Sequence, residues 1–141
     1  MEFKSKCHGT LEYGEKDIIT FESGVPGFEE LKKFILVPHK DNEVFNILQS
    51  LEDDNVGFVV VSPFLVDNKY EVNLDESLVK KLKLQSSNEA CIFSMVTLHS
   101  NIKKITVNLK APIVINAENK LAHQVILNND KYSIKSPLIK N

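Results

Sequence analysis

Apolar residues recur along this chain in short runs, many rich in β-branched residues and phenylalanine, separated by turn residues. That spacing predicts strands rather than helices. The predicted strands are Thr10–Tyr13, Asp17–Phe21, Phe34–Pro38, Phe45–Ser50, Gly57–Ser62, Tyr70–Val72, Ala90–His99, Ile102–Asn116, Leu121–Leu127 and Tyr132–Lys135. The clearest is the run from Thr106 to Asn116, where apolar and polar positions alternate until Pro112 interrupts them. Proline cannot donate to a ladder, so this pattern predicts a strand that bends and continues. Ile105, Val107 and Leu109 fall on one face and are expected in the core.

Three punctuations predict turns. Gly14–Asp17 and Asn128–Lys131 read as hairpin turns, because Gly and Asn tolerate positive φ. Val25-Pro26-Gly27-Phe28 fits a type II turn, with Pro26 fixing φ and Gly27 supplying the positive φ that follows. One segment departs from the β pattern. Asp75 is a suitable N-cap, Leu78 and Leu82 share one face of 76–84, and Lys80, Lys81 and Lys83 gather where positive charge complements the helix dipole. A second, shorter helical turn is expected over Phe28–Lys33. The expected fold is therefore mainly β: a single domain spanning 1–141, built as a β-barrel-like or curled antiparallel sheet with one short helix at about 75–84.

Composition narrows the function. The 141 residues carry a formal net charge of −2, and all seventeen basic residues are lysine. A direct nucleic-acid binder needs a basic footprint, and the guanidinium fork that reads guanine edges is absent. No apolar run reaches the ~18–20 residues of a membrane helix, and the first residues show no apolar signal segment, so a cytoplasmic protein with no membrane partner is expected. Cys7 and Cys91 are expected to be reduced, with Cys91 buried as a small hydrophobe.

Candidate chemistry is sparse. His8, His39, His99 and His123 show no metal-pair spacing, and no C-x-x-C, phosphate loop or nucleophile elbow is present. No catalytic, metal or cofactor residue is assigned, and no enzyme is expected. The acidic run Glu52-Asp53-Asp54, followed by Asn55, reads as a solvated turn or as a docking patch for a basic partner. Lys80, Lys81, Lys83, Lys103 and Lys104 read as exposed faces. Pro63-Phe64-Leu65-Val66 keeps its apolar character past the end of a strand, so it either folds back into the core or forms an exposed contact. Glu52, Asp53, Asp54, Asn55, Phe64 and Leu65 are the candidate partner-binding residues.

Four segments in order resemble one family. Ile19-Thr-Phe-Glu-Ser-Gly-Val-Pro-Gly-Phe-Glu29 is similar to the I-x-F-x-x-G-I-P-G-F-E of FliW, the bacterial flagellar assembly factors. Phe45-Asn-Ile-Leu-Gln-Ser-Leu-Glu-Asp53 through Gly57–Pro63 resembles that family's second block. The 106–116 stretch with Gln124–Leu127, and Tyr132-Ser133 with Pro137-Leu138, resemble its C-terminal half. Asp54 stands where the family usually has proline and Gly57 where it often has alanine, and both would loosen the loop. The resemblance implies a non-enzymatic regulator that binds two proteins; the free protein is expected to be a monomer. One is CsrA, a dimeric RNA-binding repressor of flagellin translation; the other is flagellin. A direct RNA-binding regulator with a continuous lysine face, or an enzyme whose site is assembled only in three dimensions, are the alternative classes.

Overall fold

In the computed structural model one long strand organises the sheet. The described residues are 2–5, 9–38, 44–128 and 130–138, with the backbone alone for 2–5, 9–12 and 87. The first strands are β1 (Glu2–Ser5), β2 (Gly9–Glu12), β3 (Ile19–Thr20), β4 (Lys33–Pro38), β5 (Asn46–Ser50) and β6 (Gly57–Val61). They are followed by β7 (Ala90–Thr97), β8 (Thr106–Val107), β9 (Ile113–Asn116), β10 (Ala122–Gln124) and β11 (Ser136–Pro137). β1 and β2 pair with each other as a separate hairpin. The main sheet runs β10-β9-β7-β6-β5-β4-β3, all antiparallel, with β8 on β7 and β11 on β8.

β7 is the organising strand. Its first half pairs with β9 and its last two residues with β8. The predicted bent strand is therefore one interrupted strand along β7, and the residues between β8 and β9 bulge out. Their backbone groups find other partners: Asn108 Oδ1 accepts from the N–H groups of Lys110 and Ala111, Leu127 N donates to Lys110 O, and Gln124 Nε2 donates to Ala111 O. Pro112 sits where no ladder donor is needed. Ile105, Val107 and Leu109 are all buried, as their alternation predicts.

The two faces of the sheet are both apolar. One holds Ile19, Phe21, Phe34, Leu48, Val60, Ile113 and Ile115; the curling sheet wraps around them. Thr20 and Leu121 form an isolated parallel bridge, with Thr20 N donating to Lys120 O at 2.8 Å. That single bridge brings the sheet's outer strands together without a ladder between them, so the architecture is a curled sheet and not a closed barrel. The other face carries Val61, Val107, Tyr70 and Tyr132 in one cluster, and Val114 under the helix in another.

The helix, α1 (Glu76–Leu82), is short and fixed at both ends. Asp75 Oδ1 accepts from Leu78 N at 2.8 Å, as its capping role requires. At the other end Lys83 takes φ 55, and buried Asn116 donates from Nδ2 to the Leu82 carbonyl at 2.9 Å. Leu78 and Leu82 are the buried face.

Several sequence expectations fail for tertiary reasons. Tyr70–Val72 forms no strand: Tyr70 Oη donates to Leu109 O at 2.6 Å, and Glu71 N donates to Tyr132 Oη at 2.9 Å, so side chains replace a ladder. Residues 28–32 turn and run irregularly into β4, which Lys33 begins, and form no helical turn. Glu15–Asp17 is a 3-10 turn linking β2 to β3, which do not pair, so it is no hairpin. Tyr132–Lys135 is irregular, and the strand begins at Ser136. β10 does not pair with β11, so 128–131 closes no hairpin, and Asn129 lies outside the described residues. Cys91 is exposed rather than buried, while Cys7, His8 and His39 lie outside the described residues.

Candidate partner-binding surface

The acidic loop is framed from below by two buried polar residues of β5. Gln49 Nε2 donates to the carbonyls of Ser50 and Val56, both at 3.0 Å, holding the two stems of the loop together. Ser50 Oγ accepts from the N–H groups of Glu52 and Asp53 at 3.1 and 3.0 Å. Asp53 closes the turn itself: its Oδ1 accepts from Asn55 N, and its carbonyl accepts from Val56 N. A loop with this much backbone satisfaction is fixed, even with Asp54 and Gly57 in the sequence. These bonds oppose the loosening expected of Asp54 and Gly57.

Glu52 differs from its neighbours. Its Oε1 accepts from the backbone N–H groups of Lys32 and Lys33, at 2.5 and 2.9 Å, where β4 begins. Those two bonds hold the carboxyl of this exposed residue below the ordinary carboxylate value, with slight desolvation opposing and the Lys33 and Lys32 charges adding to them. Glu52 therefore ties the acidic loop to the segment before β4. Asp54 and Asn55 are exposed.

That tie brings a second motif to the same place. Val25–Phe28 forms the expected turn, with Phe28 N donating to Val25 O at 2.7 Å and Gly27 at φ 87. Gly24 has φ 72, and a Cβ there would collide with the backbone of Glu29, so only glycine lets the chain double back. The turn leaves Phe28 41% exposed, with its ring edge-on to Phe58. Glu29, Glu30 and Asp53 line the same concavity as Phe28. An exposed aromatic ring among carboxylates is thus built from two motifs that are far apart in sequence. Sequence reasoning missed Phe28, Glu29 and Glu30 as surface residues; the type II turn was the available signal, since it must present its last residue outward or inward.

Phe64 and Leu65 lie elsewhere. The acidic loop enters β6 and the 3-10 turn Pro63–Leu65 leaves it, so a five-residue strand separates them, about 16 Å at 3.3 Å per residue. Both readings of 63–66 apply at once: Pro63 and Val66 are buried, while Phe64 and Leu65 are 45% and 61% exposed. Phe64 rests edge-on against Tyr70, which itself contacts Tyr132. The six candidate residues therefore form two surfaces at opposite ends of β6.

Among the described residues, no group of three or more His, Cys, Asp or Glu side chains is placed to hold a metal ion. Among the same described residues, no helix is long and apolar enough to cross a membrane.

Comparison with known proteins places this geometry. The family model described as FliW protein matches residues 2–138. The chain belongs to the FliW family of flagellar assembly factors. The flagellar assembly factor FliW of Clostridium novyi (strain NT) is 51% identical over 140 residues, covering 99% of this chain and 98% of that protein. Its counterpart from Clostridium tetani (strain Massachusetts / E88) is 47% identical over 140 residues, covering 99% and 97%. A crystal structure of the flagellar assembly factor FliW superposes with a TM-score of 0.90 at 38% identity, covering 99% of this chain and 98% of that one. The curled sheet with the helix α1 is the FliW fold, and the motifs that meet at Phe28 and Asp53 are two of the four that resemble the family in sequence.

Proposed function

We propose that this FliW-family chain is a non-enzymatic cytoplasmic regulator that works by partner exchange. It binds CsrA and relieves repression of flagellin translation; it also binds flagellin, so unassembled flagellin occupies it and leaves CsrA free to repress. The partners' identities rest on the family resemblance. The observation that carries the reading is the acidic surface around Phe28, where Glu29, Glu30 and Asp53 line one concavity with a half-exposed ring and exposed Asp54 follows in the chain.

Such a surface suits a basic, RNA-binding protein. Carboxylates at a rim steer encounter and set salt dependence, while an aromatic anchor supplies the desolvated centre. The same charges disfavour RNA on the docked repressor by like-charge repulsion. Phe64 and Leu65 offer a second, apolar contact at the far end of β6. For the exchange to work, the two partners must overlap or be negatively coupled. A competition pull-down tests this: the chain is loaded with CsrA and flagellin is added. Release of CsrA in proportion to flagellin supports the exchange, and a stable ternary complex overturns it.

A further inference from the structure

Lys32 and Lys33 form the joint between the two halves of the acidic surface. Phe21 N donates to Lys32 O at 2.8 Å and Leu51 N to Lys33 O at 2.9 Å, so the residue after β3 and the residue after β5 both close on this dipeptide. Its own N–H groups both run to one oxygen, Glu52 Oε1, at 2.5 and 2.9 Å. Upstream, the chain from Phe28 to Lys32 is a tight arc: Leu31 N donates to Phe28 O at 2.9 Å, and Gly27 N donates to Glu29 Oε1 at 3.3 Å. The acceptor for the joint's N–H groups thus comes from the acidic loop itself.

The acidic run divides by what each carboxylate does. The concavity around Phe28 takes Asp53 into its lining and leaves Glu52 outside it. Glu52 is exposed, yet its carboxylate is occupied by backbone N–H groups, while its own N–H donates to Ser50 Oγ at 3.1 Å. Charge-assisted bonds from two consecutive amides hold a side chain in one direction. Gln49, Ser50 and Asp53 already close the loop on itself, so the loop's own shape does not need the Glu52 carboxylate. What that carboxylate fixes is the loop's position relative to the Phe28 turn. The Phe28–Phe58 ring contact holds one point of the turn, and the Glu52 bonds hold another. Two points set an orientation where one leaves a pivot. Resting on the reading of this surface as the CsrA site, we propose that Glu52 is its positioning residue: bonded to the N–H groups of Lys32 and Lys33, it sets Phe28 against the loop carboxylates and touches no partner itself. A surface ordered in advance spares binding the cost of ordering it.

The test compares Glu52→Gln with Glu52→Ala in the full-length chain, each titrated with CsrA by calorimetry. Both variants remove the same charge, and only glutamine keeps an oxygen that can take both N–H bonds. Lys32 and Lys33 are exposed, so their N–H groups can turn to water and Glu52→Ala is expected to fold; an unchanged far-ultraviolet spectrum checks this. Glu52→Ala is expected to weaken CsrA binding roughly tenfold and to shift the Phe28, Glu29 and Glu30 amide resonances of the unbound chain. Glu52→Gln is expected to stay within about threefold of the wild type and to leave those resonances in place. The Phe28→Ala/Asp53→Asn/Asp54→Asn variant runs beside them. If it binds CsrA as the wild type does, the reading of the surface fails and the positioning role falls with it. If it loses CsrA while Glu52→Gln and Glu52→Ala are weakened equally, Glu52 is a contact charge. If it loses CsrA while Glu52→Ala binds as the wild type does, Glu52 has no part in the site. Either of these last two results overturns the positioning role and leaves the surface standing.

Discussion

The Phe28 ring meets the Phe58 ring edge-on, with 5.4 Å between centroids and 72° between planes. Edge-to-face contact at this distance is the favoured aromatic geometry. It fixes a half-exposed ring on a rigid strand, next to the carboxylates that surround it. Phe28→Ala is expected to weaken CsrA binding by roughly tenfold or more. Its fold stability is expected to fall by only about 1–2 kcal/mol, because the ring is partly in water already. Calorimetry with CsrA and urea unfolding, run on the same preparation, separate the two effects.

Glu52 predicts a pH dependence. Its folded pKa lies below the ordinary 4.5, first because of the N–H bonds from Lys32 and Lys33. A depressed carboxylate stabilises the fold above its unfolded pKa, and that stability is lost as pH falls through the folded value. Urea midpoints of the wild type should therefore drop below about pH 4.5, more steeply than those of Glu52→Gln, whose neutral amide oxygen can still accept. Glu52→Ala is expected to lower stability at neutral pH as well, and amide exchange at Lys32 and Lys33 should accelerate.

His123 predicts a second one, in a different range. Burial, and then the Lys81 charge, push its pKa below the ordinary 6.5. A histidine kept neutral in the fold contributes fully above its unfolded pKa, and that contribution fades as pH drops from there through the folded value. An NMR titration should place the His123 midpoint below 6.5, and Lys81→Gln should move it upward. The Lys81 ammonium is held nearby by Ser23, at 2.6 Å from its Oγ.

Asn116 secures the helix to the sheet. Its Nδ2 donates to Leu82 O at 2.9 Å, and its Oδ1 accepts from Glu118 N at 2.9 Å, with the residue 1% exposed. Asn116→Ala removes both bonds, leaving the Leu82 carbonyl with Asn119 alone and the Glu118 N–H without this acceptor, and is expected to cost about 2 kcal/mol. Asn119→Ala removes one bond to the same carbonyl from an exposed position and should cost about 1 kcal/mol or less. Urea unfolding of both variants checks the contrast.

Much of the fold was legible where local pattern and tertiary placement agree. Ile105, Val107 and Leu109 alternate in sequence and are buried in the structure, and Asp75 caps the helix as its side chain suggests. Legibility ended where a distant residue decided the outcome. Tyr70–Val72 has strand-forming residues, yet hydroxyls from Tyr70 and Tyr132 satisfy the backbone there instead. The candidate surface was half legible for the same reason. The acidic run was visible as charge, but Phe28 joins it through long-range contacts, the bonds of Glu52 to residues 32 and 33 and the packing of Phe28 on Phe58. Phe64 stands close to the acidic run in sequence, but the extended β6 between them holds the two far apart.

The most direct test of the central claim is calorimetric titration of CsrA into the wild type and into a Phe28→Ala/Asp53→Asn/Asp54→Asn variant, at low and high salt. The asparagine at position 53 keeps an oxygen for the Asn55 N–H, so the loop is preserved. Tight, salt-sensitive binding by the wild type is predicted, and a loss of roughly a hundredfold with most of the salt dependence gone in the variant. Equal affinity and equal salt dependence in the two proteins would contradict the acidic surface as the CsrA site.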